Sequence, residues 1–171
     1  MDDLDFVAQL GRPFVAHRLR RLGEMFLEGY SRWLPELGVT APARSLSTLL
    51  LLESGPLGVT DLAARLRLSH PLMIKLVGSL EEAGFVSLVR DSADARRRPA
   101  TLTPAGREEV ARIKRAIAIL DASYSELSTE IGVDLIGLVE RVEAACLRDP
   151  FHERLRRAAR QTLQQKEPVC G

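Results

Sequence analysis

The 171-residue sequence predicts a mainly α-helical fold, with a three-helix head carrying a two-stranded wing and long amphipathic helices on either side of it. Three observations lead there. Leu, Ala and Arg abound while only five Phe, two Tyr and one Trp occur, a balance that favours helix over sheet. From Val59 to Gly106 the chain reads as helix, tight turn, helix, strand, arginine-rich hairpin tip and returning strand without a gap. Outside that stretch, apolar residues recur at every third or fourth position over long runs, the period of one helix face. The middle stretch has the order of a winged helix-turn-helix, and a basic wing suits a phosphate backbone.

Composition bounds the function classes. At 46% hydrophobic and 27% charged, the chain can bury a core and is not of the disordered type. Apolar runs such as Leu49 to Leu52 are far too short to cross a bilayer. The start, Met1-Asp2-Asp3-Leu4-Asp5, is acidic where a secretory leader is basic, so a cytoplasmic protein without membrane contact is expected. The net charge of +1 is unevenly placed: residues 59–107 hold eight basic against five acidic side chains, +3, and each flank is −1. A +3 excess is also ordinary surface variation, so charge alone does not decide. Neither the two Cys nor the three His (His17, His70, His152) have metal-ligand spacing. No Gly-rich phosphate loop or serine nucleophile elbow occurs, so no enzyme, metal or cofactor is expected. Cys146, on an apolar stripe, is expected to be buried and inert.

The elements follow in order. Residues 1–42 form an N-terminal region whose stripe Val15, Leu19, Leu22, Phe26, Tyr30, Trp33 and Leu37 marks an amphipathic helix over 13–37, ended by Pro35 and Gly38. Residues 43–106 form the head. Ala43 to Glu53 is a helix with Leu46, Leu49, Leu50 and Leu52 inward, stopped by Gly55-Pro56. Thr60 caps a short helix over 61–66, Leu68 lies in the turn, and Ser69 caps the next helix with Pro71 in its first turn. On that helix Met73, Leu76, Val77 and Leu80 point inward, leaving Ser69, His70, Leu72, Ile74, Lys75, Gly78 and Ser79 outside or on the flanks. Gly84 ends it, the strand formers 85–90 lead to the tip Asp91 to Pro99, and Ala100 to Thr103 returns. Pro99 is acceptable there because a two-stranded wing is all edge.

Residues 107–165 carry further helices, and 166–171 a tail. Thr103 and Pro104 open a helix with the seam Val110, Ile113, Ile117, Leu120, Tyr124 and Leu127, spaced 3-4-3-4-3. Gly132 breaks it, and Asp134 caps a helix with Leu135, Val139, Val142 and Cys146. A last amphipathic segment, about 151–163, has a basic face of Arg154, Arg156, Arg157 and Arg160. An intrachain bundle could use these stripes. They exceed what a small head can cover, and a homodimer interlocking both ends is the expectation.

Asp94-x-Arg96 followed by Leu102-Thr103-x-x-Gly106, after Thr60-Asp61-Leu62-Ala63, Ser69-His70-Pro71 and Leu80-Glu81-Glu82-Ala83-Gly84-Phe85-Val86, resembles the MarR family of winged-helix transcription regulators. The likeness extends in layout over about 13–147, its motifs over 60–106. It implies a homodimeric repressor on a pseudo-palindromic site in double-stranded DNA, released by a small aromatic or phenolic effector. It implies that Asp94 pairs with Arg96 to shape the wing, and that Arg96 or Arg97 enters the minor groove. Ser69, His70 and Lys75 would meet phosphates and base edges, with Thr60, Leu72, Ile74, Ser79, Arg90 and Arg98 on the same surface. For the wing arginines the plainer reading is a solvated loop, and for His70 a capping-turn residue. His17, Arg18, Tyr30, Trp33 and Arg44 lie on segments where the family's effector pocket forms. The chain departs from the family at Ile74 and Gly78, where a hydroxyl and a polar residue are common. A winged-helix interaction or scaffold dimer without specific DNA binding is the alternative.

Overall fold

The computed structural model describes residues 5–88 and 98–164. Arg90, Asp94, Arg96, Arg97 and Cys170 lie outside the described residues. The chain divides into two compact units, Met1–Ile117 and Ala118–Gly171.

In the first unit, the Asp5 carboxylate accepts the Ala8 N–H at 3.1 Å and caps a single helical turn, α1 (Phe6–Gln9); it also pairs with Arg21 at 2.9 Å. Pro13 sits in a 3-10 turn that leads into α2 (Val15–Trp33). Along the α2 stripe, Val15, Leu19 and Leu22 are exposed, whereas Phe26, Tyr30 and Trp33 are half-buried. A second 3-10 turn, Leu34–Leu37, contains Pro35 and closes at Gly38 in the left-handed region, φ +71°.

The head begins with α3 (Leu46–Leu52), on which Leu46, Leu49 and Leu52 are buried; Leu50 is half-buried, on the edge of the inward face. α4 (Val59–Leu66) and α5 (His70–Glu82) pack against each other, burying Leu62 beside Met73, Leu76, Val77 and Leu80. Gly58, extended at φ −68° and ψ 152°, is the N-cap of α4, so Thr60 falls in the first turn and is not the cap expected of it. The reason lies just upstream. Leu57 exchanges hydrogen bonds with Ala100 (3.1 and 2.8 Å), which holds the chain extended up to the helix start.

β1 (Val86–Leu88) pairs antiparallel with β2 (Ala100–Leu102), Val86 opposite Leu102 and Leu88 opposite Ala100. Because Leu57 occupies the far side of Ala100, β2 is not an open edge at that position. α6 (Pro104–Ile131) then closes the core with Val110, Ile113 and Ala116.

In the second unit, α6 ends at Gly132, φ +68°. Asp134 caps α7 (Leu135–Arg148), its carboxylate accepting the Gly137 N–H at 3.0 Å, while Ser128 Oγ accepts the Leu135 N–H at 3.2 Å. α8 (Phe151–Gln164) follows, its Arg157 guanidinium bonded to Asp149 at 2.5 and 3.2 Å and Arg154 donating to the Ala145 and Asp149 carbonyls at 3.1 Å. Two members of the basic face thus fasten the α7–α8 joint. The hydrogen bond from Arg157, helped by the charge of Arg154, holds the Asp149 carboxyl below the usual carboxylate range. A depressed folded value favours the folded joint above about pH 4, and that contribution is lost as pH falls through the depressed value. A carboxyl NMR titration is expected to place Asp149 below its ordinary midpoint, and Arg157→Ala to move it back up; equal midpoints would remove this role of the pair.

Neither α7 nor α8 buries a residue, although Val139, Val142, Leu147, Phe151 and Leu155 are large and apolar. Cys146 is exposed, against the expectation of burial, because within its own unit no described residue covers that end of the α7 stripe. Among the described residues no helix is long and apolar enough to cross a membrane.

Candidate nucleic-acid interface

The turn between α4 and α5 sets the direction of the exposed helix. Leu68 N–H bonds the Ala63 carbonyl at 3.0 Å and Arg67 N–H the Ala64 carbonyl at 3.3 Å, the paired closure of a Schellman motif. Arg67 sits at the left-handed position, φ 52°, where glycine is usual; its side chain is exposed. Nothing in the residue type announces this backbone, and Arg67 was not among the expected interface residues. Ser69 follows in an extended conformation and its Oγ accepts the Leu72 N–H at 3.4 Å, the cap that the sequence suggests.

α5 is divided as its period requires. Met73, Leu76, Val77 and Leu80 are buried; Ser69, His70, Leu72, Ile74 and Lys75 are exposed, and Gly78 and Ser79 are half-buried. Thr60 is exposed on α4. The described base of the wing contributes Arg98, which is exposed.

The wing base is locked to α6 through Thr103. Its N–H bonds the Phe85 carbonyl at 3.0 Å, its hydroxyl donates to the Gly84 carbonyl at 2.7 Å, and the same oxygen accepts the Gly106 N–H at 3.0 Å, capping α6. Arg107 adds a hydrogen bond to the Leu102 carbonyl at 2.9 Å. Gly106 sits against Phe85 so closely that a β-carbon there would be 2.0 Å from the Phe85 carbonyl oxygen. This gives the Leu102-Thr103-x-x-Gly106 pattern a packing reason: threonine joins strand to helix, and glycine lets them touch.

A second anchor escaped the sequence reading. Glu109, fully buried on α6, accepts the N–H groups of Thr40 and Ala41 at 2.5 and 2.6 Å through Oε1 and receives the Arg112 guanidinium at 2.6 Å through Oε2. It ties the segment entering the head to the helix leaving it. Its backbone partners Ala41 and Thr40 are 68 and 69 residues away in sequence, so no local pattern signals those bonds.

Five side chains were expected near an effector pocket. Arg44 lines a crevice of about 370 Å³ together with Glu24, Leu27, Glu28, Ser31, Pro42 and Ala43, and is ion-paired with Glu24. A neighbouring crevice of about 360 Å³ shares Ser31, Pro42 and Ala43. Tyr30 and Trp33 pack half-buried against the head core, and His17 and Arg18 lie exposed on α2.

Residues 37–97 match the model of the MarR family. No match occurs among curated proteins. Among solved structures, the chain is similar to a probable transcriptional regulator from Pseudomonas aeruginosa, with 23% identity, 75% of this chain and 96% of that one covered, and a TM-score of 0.61. It is similar to the transcriptional repressor CouR bound to a 23-mer DNA duplex, with 21% identity, coverage of 84% and 99%, and a TM-score of 0.62. It is also similar to MepR of S. aureus in a DNA complex, with 18% identity, coverage of 78% and 96%, and a TM-score of 0.61. At these identities the likeness establishes the fold alone, a helical chain with a winged-helix head.

Proposed function

We propose that this protein, whose residues 37–97 match the MarR family model, is a transcription repressor that binds a pseudo-palindromic site in double-stranded DNA as a homodimer. The observation that carries the proposal is α5: one face is sealed in the core, Lys75 lies exposed on the opposite face, and Ser69 and His70 are exposed at the helix start. In this reading α5 enters the major groove, Thr60 and Ser79 flank it, and His70 and Lys75 meet phosphate. Arg98 stands at the base of a wing whose Arg90, Arg96 and Arg97 grip the adjacent backbone or minor groove, with Asp94 shaping the tip.

The dimer reading is supported by apolar stripes left uncovered within each unit: Val15, Leu19, Leu22 and Met25 on α2, and Val139, Val142, Leu147, Phe151 and Leu155 on α7 and α8. Covering such stripes is the ordinary drive for obligate association. In the same reading a small aromatic or phenolic effector binds near Arg44, which the crevice beside it supports. It would release DNA by binding the DNA-incompetent arrangement more tightly than the competent one.

Fluorescence anisotropy on duplexes from upstream of the protein's own coding region tests the proposal. Nanomolar binding with a steep salt dependence is expected, and Lys75→Ala should weaken it on all sequences while lowering the salt slope by about 1. Arg96→Ala should weaken it further. Affinity no better than for random duplex would favour a winged-helix interaction dimer instead. Light scattering that gave a stable monomer at micromolar concentration would remove the dimer.

A further inference from the structure

The outward half of α5 carries two large apolar side chains, Ile74 at 53% exposure and Leu72 at 39%. With Met73, Leu76, Val77 and Leu80 buried, a turn of about 100° per residue puts Pro71, Lys75 and Gly78 at the centre of the outward face. Ile74 then lies on one flank, and Leu72 with Ser79 on the other. The polar means of reading a base edge are few on the outward face, since His70 sits at the helix start off its centre and Ser79 is half-buried. Ser69 Oγ is engaged in capping, Lys75 is a flexible point charge, and Gly78 has no side chain. A β-carbon at Gly78 would meet nothing within 4 Å, so the helix backbone is free to approach a flat surface there. The major-groove edge of DNA displays one apolar group, the C5-methyl of thymine.

We propose that Ile74 and Leu72 read thymine C5-methyl groups, so that apolar contact rather than hydrogen bonding sets the sequence preference of this helix. The inference rests on the reading that α5 enters the major groove. It assigns a role to the two positions where the outer face is least polar. Lys75 supplies attraction to phosphate, the clearance at Gly78 lets the helix sit deep, and the two flanks touch methyl groups on either side.

The full-length protein is used to select its preferred sites from a randomised duplex library. Each thymine of the best site is then replaced in turn by deoxyuridine, which keeps every hydrogen-bonding group and lacks only the methyl. At one or two thymines in each half-site, affinity is expected to fall about fourfold per methyl. Ile74→Ala or Leu72→Ala should bind the thymine and deoxyuridine forms of the corresponding position equally. Both positions are exposed, so both variants should melt like the parent protein. Tight, selected binding that ignores deoxyuridine at every position overturns the methyl reading and leaves DNA binding intact. Sensitivity to deoxyuridine that survives in both variants also overturns the assignment. A library from which no sequence is enriched overturns this inference together with the proposed function.

Discussion

Replacing Glu109 by alanine is expected to lower stability by about 2–4 kcal/mol, read as a fall in the urea midpoint at unchanged slope. The carboxylate is fully buried and has three partners, two backbone N–H groups and the Arg112 guanidinium. Its removal leaves the buried Ala41 N–H without an acceptor, at a cost of about 1–3 kcal/mol, and the Thr40 N–H, on an exposed residue, loses less. The loss at Arg112 is smaller, since that side chain is 33% exposed and already lies 3.5 Å from Glu108. Glu109→Gln separates the two contributions. Its carbonyl oxygen can still accept from Thr40 and Ala41, but its amide faces a guanidinium, so about half the loss is expected. A midpoint for Glu109→Ala within 0.5 kcal/mol of the parent would mean that the segment entering the head is held by packing of Val39 and Ala41 alone.

Gly106→Ala should lower stability by about 2–3 kcal/mol, a fall in melting temperature of about 5–10 °C. Helix propensity alone predicts the opposite sign, because alanine is about 1 kcal/mol better than glycine inside a helix. Contact decides. The added carbon would lie 2.0 Å from the Phe85 carbonyl oxygen and 3.2 Å from Leu102 Cδ2, and the first of these is backbone that cannot rotate away. α6 would have to shift off the wing base, straining the bonds Thr103 makes to Phe85 and Gly84. Gly78→Ala is the matched control: the position is helical with nothing within 4 Å, so propensity acts unopposed and the variant should be slightly stabilised. Two alanine variants moving in the same direction would refute the steric account.

The parts of the fold that were legible are those whose cause is local. Ser69 caps α5, Thr103 caps α6 and Asp134 caps α7, as side-chain chemistry followed by a helical period suggests. The inward set Met73, Leu76, Val77 and Leu80 follows from that period alone. Thr60 misled because Gly58 had a competing claim, settled by the bridge between Leu57 and Ala100 some forty residues on. Arg67 was silent because arginine seldom takes a left-handed backbone; the turn imposes it on the residue rather than following from it. Cys146 shows the limit of a stripe, which tells that a face is apolar and not what covers it.

Side-chain chemistry along the chain therefore settled the order of elements, the inward face of α5 and its outward set of Ser69, His70, Leu72, Ile74 and Lys75, since each depends on neighbours within about a turn of helix. The start of α4, the burial of Glu109 against Thr40 and Ala41, and the need for glycine at position 106 came from the folded arrangement. Each of these is a contact between segments separated by many residues. Such contacts exist only once packing has brought the segments together, and no repeat or cap along the chain encodes them.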